Sequence, residues 1–389
     1  MKKKVLAFSA IRSEYDLLSG LYKLLSKDKD IEFKIIVSGA HLSERSGYTV
    51  TDIENDKLDI LARIDTLSES DAKVSRIKSG AKLLFEAIEI VAEYNPDMII
   101  YAGDREEVIM ASIIGGYLEI PTVHFFGGDH VKDSHIDNPV RHATSKMTTI
   151  HMVSTDEHAK RLILMGEDKR RIFNIGSVAL DKFQNEKVFS LSEIKNSFKL
   201  PENIENYALL IFHPIPKERK KSAEIFANIL DTLKKKNIFT FVSYPNIDPG
   251  SKEIISIIEK YKVLPEFFFY KSQPRKLFLS IYKNADFIIG NSSSGIIESA
   301  SIPIPAINVG YRQNSRATND NVIFCDTTKQ SIGNAIDTTK TTDFRNIVKA
   351  TNNIYGDGKS VKKAFKIIKE NTFNELLFKD EDILDTYYE

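Results

Sequence analysis

The stretch Gly290-Asn291-Ser292-Ser293-Ser294-Gly295, with Glu298 about one helical turn on, holds the residues best placed to do chemistry. An apolar run, Phe287–Gly290, leads into it and helical spacing follows. Free backbone N–H groups and a helix dipole would then point at one place, where a phosphate binds. The same turn would also serve as an N-cap formed by Ser292 or Ser293, with Glu298 on a solvated face. Arg312 and Arg316 follow the next apolar run, Ile304–Val309, and one guanidinium there would neutralise a diphosphate or simply face water. His213 ends the run Tyr207–Phe212, as a donor on the same edge or as a structural histidine.

The N-terminal half carries the acid/base candidates. Asp104-Arg105 follow the run Met98–Ala102, and Asp129 and His130 follow Thr122–Phe126 across Gly127-Gly128. Asp137 precedes Arg141-His142. Three converging carboxylates would have their pKa values pushed apart, one to act as base and another as acid. The plain alternatives are that Asp137 caps a helix and Asp104 pairs with an arginine. His124, Asp129, His130, Asp133, His135 and Asp137 crowd one segment, but their spacing matches no helix-borne metal signature, so no metal is expected. The first strand runs into Phe8-Ser9-Ala10-Ile11-Arg12 and no Walker A motif occurs, which disfavours nicotinamide and P-loop chemistry.

These residues need elements to hold them. Short apolar runs (Val5–Ala10, Phe33–Ser38, Met98–Ala102, Thr122–Phe126 and Ile150–Ser154) alternate with helical spacing, clearest over Ala81–Glu93 before Asn95-Pro96. A second series, Tyr207–Phe212, Ile238–Val242, Phe267–Tyr270, Phe287–Gly290 and Ile304–Val309, follows the loosely patterned stretch Asp181–Glu205. Such alternation predicts parallel sheets with crossover helices. The 389 residues, 42% hydrophobic, exceed the roughly 250–300 that one core accommodates. Two doubly wound α/β domains facing a cleft are therefore predicted, over 1–185 and 186–372, with a helix-like segment over 373–389 that packs on either half. Fifty-four basic residues balance fifty-four acidic ones, which argues against a nucleic-acid or anionic-membrane partner. A single cysteine, Cys325, excludes a disulfide framework and fits a reducing compartment. The start Met1-Lys2-Lys3-Lys4 precedes too short an apolar run for a signal peptide, and no run approaches the roughly 18 residues of a membrane helix, so a cytoplasmic protein is expected.

Taken in order, the motifs resemble the hydrolysing UDP-N-acetylglucosamine 2-epimerases of sialic-acid and legionaminic-acid pathways. The resemblance spans nearly the whole chain. It rests on Arg12-Ser13-Glu14-Tyr15, Ser38-Gly39-Ala40-His41-Leu42, Gly103-Asp104-Arg105, Gly127-Gly128-Asp129, Ile136-Asp137 and Arg141-His142-Ala143 in the first half. His213-Pro214, Tyr244–Lys252, Asn291–Glu298, Asn308–Gln313 and Ile354–Gly358 carry it through the second. It implies a two-Rossmann, glycosyltransferase-B-like fold, no metal or redox cofactor, a nucleotide-sugar substrate and a homo-oligomer, dimer or tetramer.

Carried over by position, Ser292, Ser293, His213, Arg12 and Arg105 would hold the diphosphate with Arg312 nearby. Glu298 would hold the ribose and Asn246 would line the same pocket. Asp104, Asp129 and Asp137 would be the acid/base set, with His41 and His124 close to the sugar. The implied reaction turns UDP-N-acetylglucosamine and water into N-acetylmannosamine and UDP through a glycal. Non-hydrolysing relatives share the fold, but their His-Arg-Arg-Glu-Asn stretch is replaced here by His213-Pro214-Ile215-Pro216-Lys217-Glu218, which favours hydrolysis. Two departures, Asp129 where the family usually has glutamate and a longer loop over 128–136, leave the role of Asp129 and the identity of the sugar open, with UDP-N-acetylglucosamine the first expectation. A UDP- or GDP-linked 2,4-diacetamido-trideoxy sugar is the alternative substrate, and an inactive sugar-nucleotide sensor the alternative function.

Overall fold

Every strand among the described residues pairs in parallel, and these strands form two separate sheets. The computed structural model describes residues 2–67, 73–131, 136–185, 187–215, 219–245, 250–271 and 273–382. The first sheet contains β1 (Lys3–Ser9), β2 (Ile31–Ser38), β3 (Ile60–Ile64), β4 (Met98–Ala102), β5 (Thr122–Phe125), β6 (Ile150–Val153) and β7 (Ile172–Asn174), in the order β3-β2-β1-β4-β5-β6-β7. The second contains β8 (Ala208–Ile211), β9 (Thr240–Ser243), β10 (Phe267–Tyr270), β11 (Phe287–Gly290), β12 (Ala306–Val309) and β13 (Val322–Cys325), in the order β10-β9-β8-β11-β12-β13.

Parallel strands need crossovers, and the crossover helices cover both faces of each sheet. Alternate residues of β1 show this. Val5 and Ala7 join a core with Tyr15, Leu18 and Leu21 of the helix Arg12–Lys27, whereas Leu6 and Phe8 join another with Leu83, Ala87 and Val91 of the helix Lys73–Tyr94. In the second sheet Ala208 and Leu210 pack with Phe226 and Ile229, and Leu209 and Ile211 pack with Leu279 and Tyr282. No helix among the described residues is long and apolar enough to cross a membrane.

The chain divides into two compact units, one of Met1–His130, Ser134–Asp181 and Tyr355–Glu389 and the other chiefly of Lys182–Ile354. The return to the first unit thus comes earlier than the predicted residue 373. Asp181 causes it: its carboxylate accepts from the N–H groups of Ser360 (3.0 Å) and Val361 (2.9 Å), capping the helix Ser360–Glu370, whose Val361, Ala364 and Ile368 enter the core of the first sheet. Of the predicted C-terminal helix, the described residues form a 3-10 turn at Asn374–Leu376, and 383–389 lie outside the described residues. The tail beyond it is held by side chains instead. Buried Arg171 donates to the Phe378 carbonyl at 2.8 Å and pairs with Glu381 at 2.7 Å.

Candidate functional site

In each sheet the strand order reverses once, between β1 and β4 and between β8 and β11. Loops leaving such a pair diverge to opposite faces and open a crevice at the carboxyl ends, where ligands of doubly wound sheets bind. Most of the polar residues singled out in the sequence lie at these two places or on the next strand over.

At the first reversal, β4 delivers Asp104 and Arg105, and β5 delivers Asp129 through Gly127-Gly128. Gly128 has a φ of 76°, and a Cβ there would meet the His158 carbonyl oxygen at 2.3 Å. Only glycine lets the loop lie this close to the helix Asp156–Leu164, and that closeness puts Asp129 Oδ1 3.4 Å from His158 Nε2. Arg141, on the helix Asp137–Met147, joins the carboxylates: it pairs with Asp104 and lies 3.6 Å from Asp129. Burial pushes the Asp104 carboxyl above its ordinary range. Arg141 opposes that shift, and the charges of Asp137 and Asp129 add to it. Asp104 therefore feels the charge of both other carboxylates. Residues 132–135 of the intervening loop lie outside the described residues.

His41 and His124 are placed differently from the expectation that they meet a sugar. Both are fully buried. The His41 ring is 3.0 Å from Ser9 Oγ and 2.8 Å from Thr49 Oγ1, and burial lowers its pKa to about 4. His124 Nε2 lies 2.8 Å from the Gly103 carbonyl oxygen, and burial lowers its pKa to about 3. As a neutral ring donating to that carbonyl, His124 fixes the residue just before Asp104. Arg12, the first residue of the helix that follows β1, is exposed and 3.3 Å from Asp52, while Arg105 is 3.3 Å from Glu107.

Beside them stands a group that motif spacing did not single out as a site residue. Glu14 accepts from the Ala10 N–H at 3.3 Å, and its Oε1 is buried without a hydrogen-bond partner among the described residues. Burial, reinforced by Glu107, raises its pKa from 4.5 to about 8. Between these values the unfolded chain has lost the proton while the folded one keeps it, so stability falls as pH rises through that window. Glu14→Gln is expected to flatten the fall, matching the parent near pH 4.5 and exceeding it at pH 8. Denaturant midpoints measured across that range check this, and parallel curves for the two proteins would refute it.

At the second reversal, Gly290 ends β11 with a φ of 137°, and a Cβ there would meet the Ile211 carbonyl oxygen at 2.0 Å. Asn291, fully buried, then latches the two diverging loops. Its Oδ1 accepts from the His213 N–H at 2.8 Å and its Nδ2 donates to the His213 carbonyl at 2.9 Å. Its own carbonyl accepts from Arg312 Nη1 at 3.1 Å and Gln313 Nε2 at 3.0 Å. His213, Arg312 and the serine turn are thus brought together around one asparagine. The helix after the turn is short, Ser294–Ile297, so the dipole adds less than the sequence predicts. What remains are the N–H groups of Ser292 and Ser293, which make no hydrogen bond among the described residues. Ser292 Oγ also accepts from the Ser294 N–H at 3.3 Å, while the N-cap residue Ser293 makes no side-chain cap to the short helix. Glu298 lies half-buried at the end of the short helix.

A cavity of about 530 Å³ opens beside His213, lined by Ser243, Tyr244, Pro245, Tyr270 and Phe278 among others. Its aromatic walls at the ends of β9 and β10 suit a planar base. Asn246 lies outside the described residues. Asn291 and Arg141 carried a faint sequence signal. Arg141 is four residues after Asp137, hence on the same helix face, and Asn291 follows a glycine at a strand end.

Comparison with known proteins places these features in context. The model of the UDP-N-acetylglucosamine 2-epimerase family matches residues 23–369. A UDP-N,N'-diacetylbacillosamine 2-epimerase (hydrolyzing) from Legionella pneumophila is 32% identical over 370 residues, covering 95% of this chain and 96% of that protein. A GDP/UDP-N,N'-diacetylbacillosamine 2-epimerase (hydrolyzing) from Campylobacter jejuni is 33% identical over 327 residues, covering 83% and 84%. Among solved structures, the UDP-GlcNAc 2-epimerase of Neisseria meningitidis bound to UDP-GlcNAc shares the fold with a TM-score of 0.74, at 15% identity over 95% of this chain and 100% of that one.

Proposed function

The chain belongs to the hydrolysing UDP-N-acetylglucosamine 2-epimerase family, and from that premise we propose that it hydrolyses and epimerises a nucleoside-diphosphate sugar at C2, a UDP-linked 2,4-diacetamido-trideoxy sugar being its substrate. The observation that carries the reaction class is the joining of Asp104 and Asp129 through Arg141 at the carboxyl ends of β4 and β5. The choice of sugar rests on the names of the two relatives above 30% identity and on Asp129, whose carboxylate stands one methylene short of the family's usual glutamate.

In this proposal the second unit binds the nucleotide. The base enters the cavity beside His213, Glu298 takes the ribose hydroxyls, and the Ser292 and Ser293 N–H groups with His213 and Arg312 hold the diphosphate. These donors act on the charge that develops as the diphosphate leaves, which is where preorganised groups lower a barrier most. The acid/base set is Asp104, Asp129 and Asp137. A carboxylate takes the C2 proton, the C2–H electron pair forms the C1=C2 bond, and the C1–O bond breaks to release UDP. The glycal then gains water, oxygen at C1 and a proton at C2 from the opposite face. His41 and His124 position this set from the core.

UDP-N-acetylglucosamine is the second reading, favoured by the description of the family whose model spans 23–369. Incubating the protein separately with the UDP-linked diacetamido sugar and with UDP-N-acetylglucosamine, followed by NMR, tests both. Free 2-epimerised diacetamido sugar plus UDP, formed at least ~10-fold faster than N-acetylmannosamine, is expected, a ratio within the reach of one pocket contact. Faster release of N-acetylmannosamine would reverse the sugar assignment. UDP-linked epimers would exclude hydrolysis, and bound but unchanged sugars would mean a sensor.

A further inference from the structure

Asp129 owes its place to the helix Asp156–Leu164. The Gly127-Gly128 turn lies against the first turn of that helix, which grips it twice. Gly128 packs on the His158 carbonyl, and Arg161, paired with Glu157, donates to the carbonyl of Gly128. The His158 N–H donates to Thr155 Oγ1 at 3.2 Å, the cap of the helix, so the residue that touches the turn is itself pinned. The carboxylate is then met at both oxygens. Oδ1 accepts from the His130 N–H at 2.8 Å and faces His158 Nε2 at 3.4 Å, and Oδ2 faces Arg141 Nη1 at 3.6 Å.

The buried His158 ring meets buried Tyr355 edge-on, with ring centroids 6.5 Å apart and planes at 66°. Tyr355 is fixed by its backbone: its carbonyl accepts from the Ser177 N–H just beyond β7, and a Cβ on the next residue, Gly356, would meet the Gly176 Cα at 3.0 Å. The Ile354–Gly358 motif thus reaches Asp129 through one ring. His124 turns Nε2 to a backbone carbonyl, whereas His158 turns Nε2 to a carboxylate of the acid/base set. We propose that His158 is a positioning residue for Asp129, held in place by Tyr355, a role that rests on the acid/base assignment given above. With its proton on Nε2 the ring offers an N–H to Oδ1 and fixes where the short side chain presents its charge. A displacement of ~1 Å there costs ~100-fold in rate.

His158→Gln and His158→Asn test the role by direction. Glutamine carries an amide N–H to about the place of Nε2 and asparagine only to that of Nδ1, so both keep a buried polar side chain but one keeps the donor. With the sugar that the parent turns over, kcat is expected to stay within ~5-fold of the parent in His158→Gln and to fall ~10- to 100-fold in His158→Asn. KM and UDP affinity should stay within about threefold in both. Tyr355→Leu should lower kcat ~3- to 10-fold in the parent and no further in His158→Asn, because its effect passes through the ring. Nitrogen-15 NMR of histidine-labelled protein without substrate reads the contact itself. The His158 Nε2 signal, assigned by its loss in His158→Gln, should be that of a protonated nitrogen and should move in Asp129→Asn. Equal rates in the Gln and Asn variants, or an Nε2 signal indifferent to Asp129→Asn, would overturn the proposal, and additive losses with Tyr355→Leu would remove Tyr355 from it. A parent that turns over neither sugar would instead overturn the reaction, and the contact would then stand or fall by the NMR signal.

Discussion

Replacing Asp104 by Asn is expected to lower turnover by ~100- to 10,000-fold, the usual worth of a positioned general acid or base, while UDP affinity stays within about threefold. The substitution keeps the shape and removes the titratable proton. It leaves the second unit's turn untouched, since Asp104 and Arg141 belong to the first. The pH profile carries the finer prediction. Burial holds the Asp104 carboxyl above its ordinary value, and Asp137 and Asp129 push the same way against Arg141. A step that needs protonated Asp104 slows as pH rises through that raised value, and a step that needs the carboxylate slows as pH falls through it. Either limb should vanish in Asp104→Asn. Steady-state rates across pH, with UDP titrated by calorimetry, decide the matter; an unchanged rate would remove Asp104 from the chemistry.

Asn291→Ala should cost ~2–4 kcal/mol in stability and at least ~10-fold in UDP affinity, because it removes, from a fully buried position, the hydrogen bonds to both backbone groups of part-buried His213. At ~2–4 °C per kcal/mol for a domain of this size, the second unit's melting point should drop on the order of 5–10 °C. Asn291→Asp makes a sharper control. It retains an acceptor for the His213 N–H, loses the donor to the His213 carbonyl, and sets a negative charge beside the proposed diphosphate. Its affinity loss should therefore exceed that of the alanine variant even though its stability loss is smaller. Equal UDP affinity in the parent and both variants would show that the latch serves only the fold.

Ten strands were legible as apolar runs, and β3, β7 and β13 were not. These three are edge strands and mostly half-buried: β3 is interrupted by Arg63 and β7 spans only three residues, whereas β13, Val-Ile-Phe-Cys, is a continuous apolar run whose four-residue signal went unread. The helical spacing over Ala81–Glu93 located a helix that extends to Lys73, and its first turns went unread because their apolar residues face away from the core. The loosely patterned stretch Asp181–Glu205 contains the short helix Leu191–Phe198, opened by a capping box between Ser190 and Glu193.

The sequence by itself determined that polar clusters follow apolar runs, that two α/β series share the chain, and which motif order it carries, because strand periodicity and turn chemistry are local properties. Tertiary structure alone decided which clusters become neighbours. Asn291 meets His213 across 78 positions, and Arg141 meets Asp104 across 37, because parallel crossovers bring distant strand ends to one edge. It also decided that His41 and His124 lie in the core, since burial depends on what packs over a residue, which spacing does not encode. Asp181 capping the helix Ser360–Glu370 is the same kind of fact: the acceptor and the donors it satisfies are about 180 residues apart, and only the fold could introduce them.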